Sequence, residues 1–96
     1  VTPAGSDSGD WNRSAGRIVV IDTNSSYLYI GTLAEVTDHF LKLRDVDVHD
    51  RTETPTTKEK YILDAKRYGV KCNRREVSIR KEVVTSFSLL DDILDY

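Results

Sequence analysis

The sequence predicts a mainly β domain: a small, bent, five-stranded antiparallel open barrel with a short helix inserted between strands 3 and 4. Three observations carry that expectation. Five runs rich in β-branched, aromatic and aliphatic residues are separated by polar, turn-forming segments. A lone glycine, Gly31, sits inside the second run. Glycine in a strand marks a bulge, a sharp bend or a close backbone approach, and a bent strand can serve two sides of a small barrel. Between the third and fourth runs the apolar period changes, with Tyr61, Ile62, Ala65 and Tyr68 spaced to form one helical stripe.

The chain of 96 residues is long enough for one domain. Residues 1–16 are rich in Gly, Ser, Asp, Thr and Pro and are expected to form a flexible N-terminal tail, leaving 17–96 as the barrel domain. Trp11 is the only large apolar residue of that tail, and one indole is enough to anchor such a segment on the domain or on a neighbour. The chain opens on Val1, which leads us to expect a processed chain or a fragment of a longer one.

Strand 1 is expected over Arg17–Asp22, where the unbroken Ile18-Val19-Val20-Ile21 run implies burial on both faces. Thr23-Asn24-Ser25-Ser26 supplies side chains that bond local backbone and turn the chain. Strand 2 follows over Tyr27–Val36, then a turn at Thr37-Asp38-His39 and strand 3 over Phe40–Val48. In strand 3, Leu41 and Leu43 share one parity while Val46 and Val48 take the other, so a bulge or strong twist is expected near Arg44-Asp45. The insertion spans about residues 49–73. Within it a helix is expected from Pro55 onward, capped by Thr56 or Thr57 and closed by Gly69. Strand 4 is expected over Arg75–Arg80, a tight turn at Lys81-Glu82, strand 5 over Val83–Leu89, and a short amphipathic ending over Leu89–Leu94.

Net charge is −2, which argues against nucleic-acid binding through bulk positive charge. Charge is nevertheless uneven: from Thr56 to Glu82 nine Lys or Arg face four acids, a net +5, and the remainder carries −7. A basic segment of this kind is suited to phosphates. The single cysteine, Cys72, excludes an internal disulfide and a cysteine-cluster zinc site, and suits a reducing, cytoplasmic setting. No apolar run approaches the roughly 20 residues needed to span a bilayer, so no membrane partner is expected. Asp45, Asp47 and His49 alternate along an extended segment, an arrangement able to hold a divalent ion in a hydrolase, but a solvated polar face is the simpler reading. Tyr61 and Tyr68 are read as packing residues with a capacity to stack on bases. With no glycine-rich phosphate loop, nucleophile elbow or histidine-pair helix, neither catalysis, a metal nor a cofactor is expected.

The order of these features resembles the Sm-like (LSm) family. Tyr29-Ile30-Gly31-Thr32-Leu33 through Leu43-Arg44-Asp45-Val46 is similar to the family's first motif, and Val77-Ser78-Ile79-Arg80-Lys81-Glu82-Val83-Val84 to its second. The resemblance implies an Sm-like, SH3-like open barrel that joins strand 4 to strand 5 of the next copy in a homo-oligomeric ring, pairing otherwise exposed edges. It further implies binding of single-stranded RNA, often uridine-rich, around the pore. In the family an aromatic or imidazole ring stacks on the base, an amide reads its edge, and an arginine adds a second plane. Counting forward from Gly31 puts His39 at the stacking position and Leu41 at that of the amide; counting back from Asp45-Val46 puts Phe40 there instead. Arg80 matches the family arginine, while Lys81 stands where the family has glycine, implying either a different turn or strain. His39, Phe40, Arg80 and Lys81 are therefore the expected RNA-binding residues, joined by Arg74 and Arg75 from the basic segment. The alternative is an Sm-like barrel acting as a structural or protein-interaction oligomer, with a partner engaged through the Trp11 tail or the 56–68 helix.

Overall fold

A computed structural model describes residues 11–53 and 56–94. Five antiparallel strands form one bent sheet: β1 (Ile18–Thr23), β2 (Tyr27–Val36), β3 (Phe40–Asp50), β4 (Arg74–Arg80) and β5 (Val84–Leu89). Their order is β4-β3-β2-β1-β5, so β4 and β5 are the two edges. One helix, α1 (Lys58–Tyr68), lies between β3 and β4. The bent sheet and the inserted helix agree with the sequence reading.

The β2–β3 ladder is interrupted twice, at Gly31 and between Leu33 and Glu35. Ile30 faces Asp47 and Thr32 faces Arg44, so Asp45 and Val46 together oppose Gly31. This is a two-against-one bulge, which curves and twists its strand. A Cβ on Gly31 would lie 3.1 Å from the Arg44 carbonyl oxygen and 3.1 Å from Val46 Cα, so the glycine permits the close approach. Asp45 adopts φ 52°, a left-handed conformation that a short polar side chain tolerates better than a branched one. The same bulge shifts the side-chain parity of β3, as its sequence requires.

Bending gives the sheet two apolar faces. Val19, Ile21, Leu33, Leu41, Leu43, Val46 and Ile79 form the barrel core, and β5 adds the partly buried Val84, Phe87 and Leu89. Both edge strands therefore serve one core, which curls the sheet into an open barrel. On the other face Val20, Leu28 and Ile30 pack under Ile62 and Ala65 of α1 and under Leu90. The unbroken apolar run of β1 thus divides by parity between two cores.

Local chemistry sets the ends of α1. Thr57 caps it, its hydroxyl accepting from Lys60 N at 3.2 Å. Gly69, at φ 94°, closes it by donating to the Ala65 carbonyl at 2.9 Å. After β4, Lys81–Val83 form a 3-10 turn with Val84 N donating to the Lys81 carbonyl. Among the described residues Asp45 is the only non-glycine with positive φ. Lys81 therefore takes a different turn and is not strained. Residues 11–16, assigned by composition to the tail, are helical or turn in conformation, with Trp11 set edge-on against Phe87 at 4.5 Å and Ser14 buried. Residues 1–10 of the expected tail lie outside the described residues.

Candidate nucleic-acid interface

The β2–β3 turn and the end of β4 meet at one corner of the barrel. The turn closes by Thr37 N donating to the Phe40 carbonyl at 2.9 Å and Phe40 N donating to Thr37 Oγ1 at 3.1 Å. Phe40 is then the register partner of Arg80, and Lys81 N donates to the His39 carbonyl at 2.8 Å. Two segments some forty residues apart in sequence are thereby joined by backbone bonds, which fixes their side chains relative to one another.

Four of the expected residues converge at this corner. His39, Arg80 and Lys81, with Asp38 and Glu82, line an open cleft of about 340 Å3. The Arg80 guanidinium lies over the Phe40 ring, 6.0 Å from its centroid, within reach of a cation–π contact. Phe40 is 39% exposed. Phe40 also lines a neighbouring depression with Glu35, Thr37, Lys42 and Ser78. An exposed phenyl ring, an imidazole and a guanidinium in one place supply flat surfaces for base stacking, and Arg80 with Lys81 supplies cations for phosphate.

Glu82 escaped the sequence reading. It pairs with Arg80 at 2.6 Å and, together with Asp38, makes the cleft amphoteric. Its only sequence signal is its position two residues after Arg80. The cleft lining contains no Asn or Gln, so neither register of the family motif acquires an amide there. Arg74 and Arg75 lie elsewhere, at the start of β4, where Arg74 is the register partner of Val46 and donates to the Asn73 carbonyl at 2.9 Å. Six residue steps of strand separate Arg74 from Arg80, about 20 Å at the usual rise.

The acidic segment of β3 is drawn into the α1 seam. Asp47 is 5% exposed and accepts from the Tyr61 hydroxyl and from Asn73 Nδ2, the latter at 3.3 Å. His49 is buried and stacks on Tyr61, with ring centroids 3.7 Å apart and an interplanar angle of 17°. Burial, followed by the bond and charge of Asp47, pushes the Tyr61 phenol well above its ordinary pKa. Asp45 instead sits exposed at the bulge. Among the described residues no three His, Cys, Asp or Glu side chains converge as metal ligands.

No protein-family model matches the sequence, and no curated protein sequence does. Among solved structures the chain is similar to the Sm protein of Pyrococcus abyssii, determined in complex with a uridine heptamer. The two share 17% identity with a TM-score of 0.58, over 84% of this chain and 93% of that one. The likeness establishes an Sm fold for this chain.

Proposed function

We propose that this chain is a non-catalytic Sm-type ring subunit that binds single-stranded RNA on the corner formed by His39, Phe40, Arg80 and Lys81. The observation that carries the reading is the convergence of these four residues from two distant segments, locked together by the Lys81–His39 backbone bond. The uridine heptamer bound by the similar Sm protein supports RNA as the ligand class. Edge strands β4 and β5, each paired on one side only, support a ring in which the β4 edge of one copy meets the β5 edge of the next. Repetition around the ring raises the affinity of individually weak sites through effective concentration.

The test is fluorescence anisotropy of labelled uridine-rich and adenine-rich 10-mers, with the oligomeric state followed by light scattering. Salt-sensitive binding is expected at micromolar subunit, weakened about tenfold or more by His39→Ala with Arg80→Ala at unchanged oligomeric state. Absence of binding, or binding indifferent to that double substitution, overturns the reading.

A second reading is favoured by the Arg80–Glu82 pair and by Asp38, which oppose phosphate in the same cleft. Under it the ring is a structural or protein-interaction module. The α1 surface is then the available docking element, since Trp11 is already engaged with Phe87. Recovery of one defined protein, and no RNA, with the purified ring supports that alternative.

A further inference from the structure

The strongest unassigned feature lies along the flank of α1 that overhangs β3. Tyr61, Asp64 and Tyr68 recur at helical spacing on that flank. With Ala65, Gly69, Lys71 and Asp47 they line a cavity of about 170 Å3. Tyr68 is 76% exposed, although its place in the apolar stripe predicts packing. Its ring stands at the rim of the cavity as a large, largely unburied flat surface. Tyr61, by contrast, is held by His49 behind it and by Asp47.

The chemistry of the lining selects a ligand. Two carboxylates, Asp47 and Asp64, present acceptors; Asp64 also pairs with Lys60 at 3.0 Å. A carboxylate has about four lone-pair sites, so Asp47 keeps accepting capacity after its bonds to Tyr61 and Asn73. Lys71 adds a cation, and three and four residues farther on the exposed Arg74 and Arg75 extend the positive charge along β4. Flat aromatic surface, carboxylate acceptors and a neighbouring cation match a nucleotide whose base is rich in N–H donors. Guanine fits best: its Watson–Crick edge sets N1–H beside the N2 amine, a pair of donors for one carboxylate. Uracil offers one N–H between two carbonyls that a carboxylate repels, and adenine sets its amine beside an acceptor nitrogen.

We propose that the α1–β3 seam is a second nucleotide site, distinct from the His39–Arg80 corner, that binds a guanine base by stacking on Tyr68 and by carboxylate recognition, with Lys71 on the phosphate. The proposal is independent of RNA binding at that corner. The same chemistry is offered by a free guanine nucleotide and by a guanosine within a strand. In the second case Arg74 and Arg75 meet the adjoining phosphates.

Amide chemical-shift titration of the isotope-labelled full chain with GMP, UMP and a short single-stranded GU-repeat RNA tests it. GMP is expected to shift the Ala65, Tyr68, Gly69 and Lys71 amides saturably, with UMP about tenfold weaker or worse. Tyr68→Ala is expected to weaken GMP about tenfold while Tyr68→Phe retains it, and Asp64→Asn to narrow the preference over UMP. His39→Ala with Arg80→Ala leaves GMP binding unchanged, which separates this site from the other. Tighter binding of the RNA than of GMP, abolished as an advantage by Arg74→Ala with Arg75→Ala, assigns the strand as ligand; equal affinity assigns the free nucleotide. A dispersed, folded spectrum with no saturable seam shifts at millimolar GMP, or shifts indifferent to Tyr68→Ala, overturns the proposal.

Discussion

Tyr61→Phe removes a single oxygen atom and tests whether the inserted helix is clamped to the sheet by the Tyr61–Asp47 bond. Asp47 is 5% exposed, and without the phenol its remaining side-chain donor among those described is Asn73 Nδ2 at 3.3 Å. A hydrogen bond to a charged group contributes about 1.5–3 kcal/mol, and a buried acceptor left short of donors costs a similar amount. Tyr61 is half-buried, so water reaches part of the seam and offsets some of the loss. We expect about 2 kcal/mol, which for a domain of this size lowers Tm by roughly 10 °C. The phenol adds a pH signature. Its folded pKa is raised, so the stability it contributes is complete below the unfolded value near 10 and is lost as pH rises beyond it. The parent should therefore lose stability more steeply than Tyr61→Phe above about pH 10. Thermal unfolding by circular dichroism at fixed subunit concentration, at neutral pH and at pH values above the tyrosine range, reads both effects. A double-mutant cycle with Asp47→Asn should return a coupling of about 1 kcal/mol or more. A Tyr61→Phe Tm within about 2 °C of the parent, or no coupling with Asp47, refutes the clamp.

Gly31→Ala places a Cβ 3.1 Å from backbone atoms of Arg44 and Val46, which yield only by opening the bulge. A destabilisation of about 1–3 kcal/mol is expected in urea unfolding, with Gly31→Val worse than Gly31→Ala. Trp11→Ala deletes the edge-on contact with Phe87 and uncovers one end of the barrel core. Because Trp11 is only partly buried, about 2 kcal/mol is expected, below the range for a fully buried tryptophan. In the parent, the single tryptophan makes the same contact visible as a blue-shifted fluorescence that moves red when the domain unfolds.

How far the fold could be read from sequence depended on how local each signal was. The Thr37–Phe40 turn, the Gly31 bulge, the Thr57 cap and the Gly69 stop are each determined within a few residues, and each occurs where the pattern puts it. The change of parity in β3 also located the bulge beside Asp45, since no straight strand buries both Leu43 and Val46 on one face. Long-range pairing was less legible. Asp47 and His49 look like a solvated polar face because nothing near them in sequence reveals that α1 folds back over them. Tyr68 continues the apolar stripe by spacing, yet it is the last residue of the helix and its ring stays exposed. Arg74, Arg75, Arg80 and Lys81 form one basic cluster along the chain. An extended strand separates them into two, and only the second lies beside His39 and Phe40.

The unbroken run Ile18-Val19-Val20-Ile21 held a clue to that missing long-range information. A strand apolar on both faces requires a cover for its second face, and two apolar stripes lie outside the strands, that of the inserted helix and that of the short ending over Leu89–Leu94. The structure meets this requirement with Ile62 and Ala65 over Val20, Leu28 and Ile30. Three polar ties then fix the cover at its borders. Asp22 at the end of β1 faces Lys58 Nζ at 2.8 Å and Arg51 Nη1 at 3.3 Å; Asp47 holds Tyr61; and Lys66 Nζ donates to the Asp91 and Ile93 carbonyls. Fully burying a Val, Leu or Ile side chain stabilises by about 1.5–3 kcal/mol, so uncovering Val20, Leu28 and Ile30 together would cost several kcal/mol. A marginally stable domain does not withstand such a loss. The insertion is thus structural: it completes the sheet's second core, and the seam beside Tyr68 is the edge at which that completion stops.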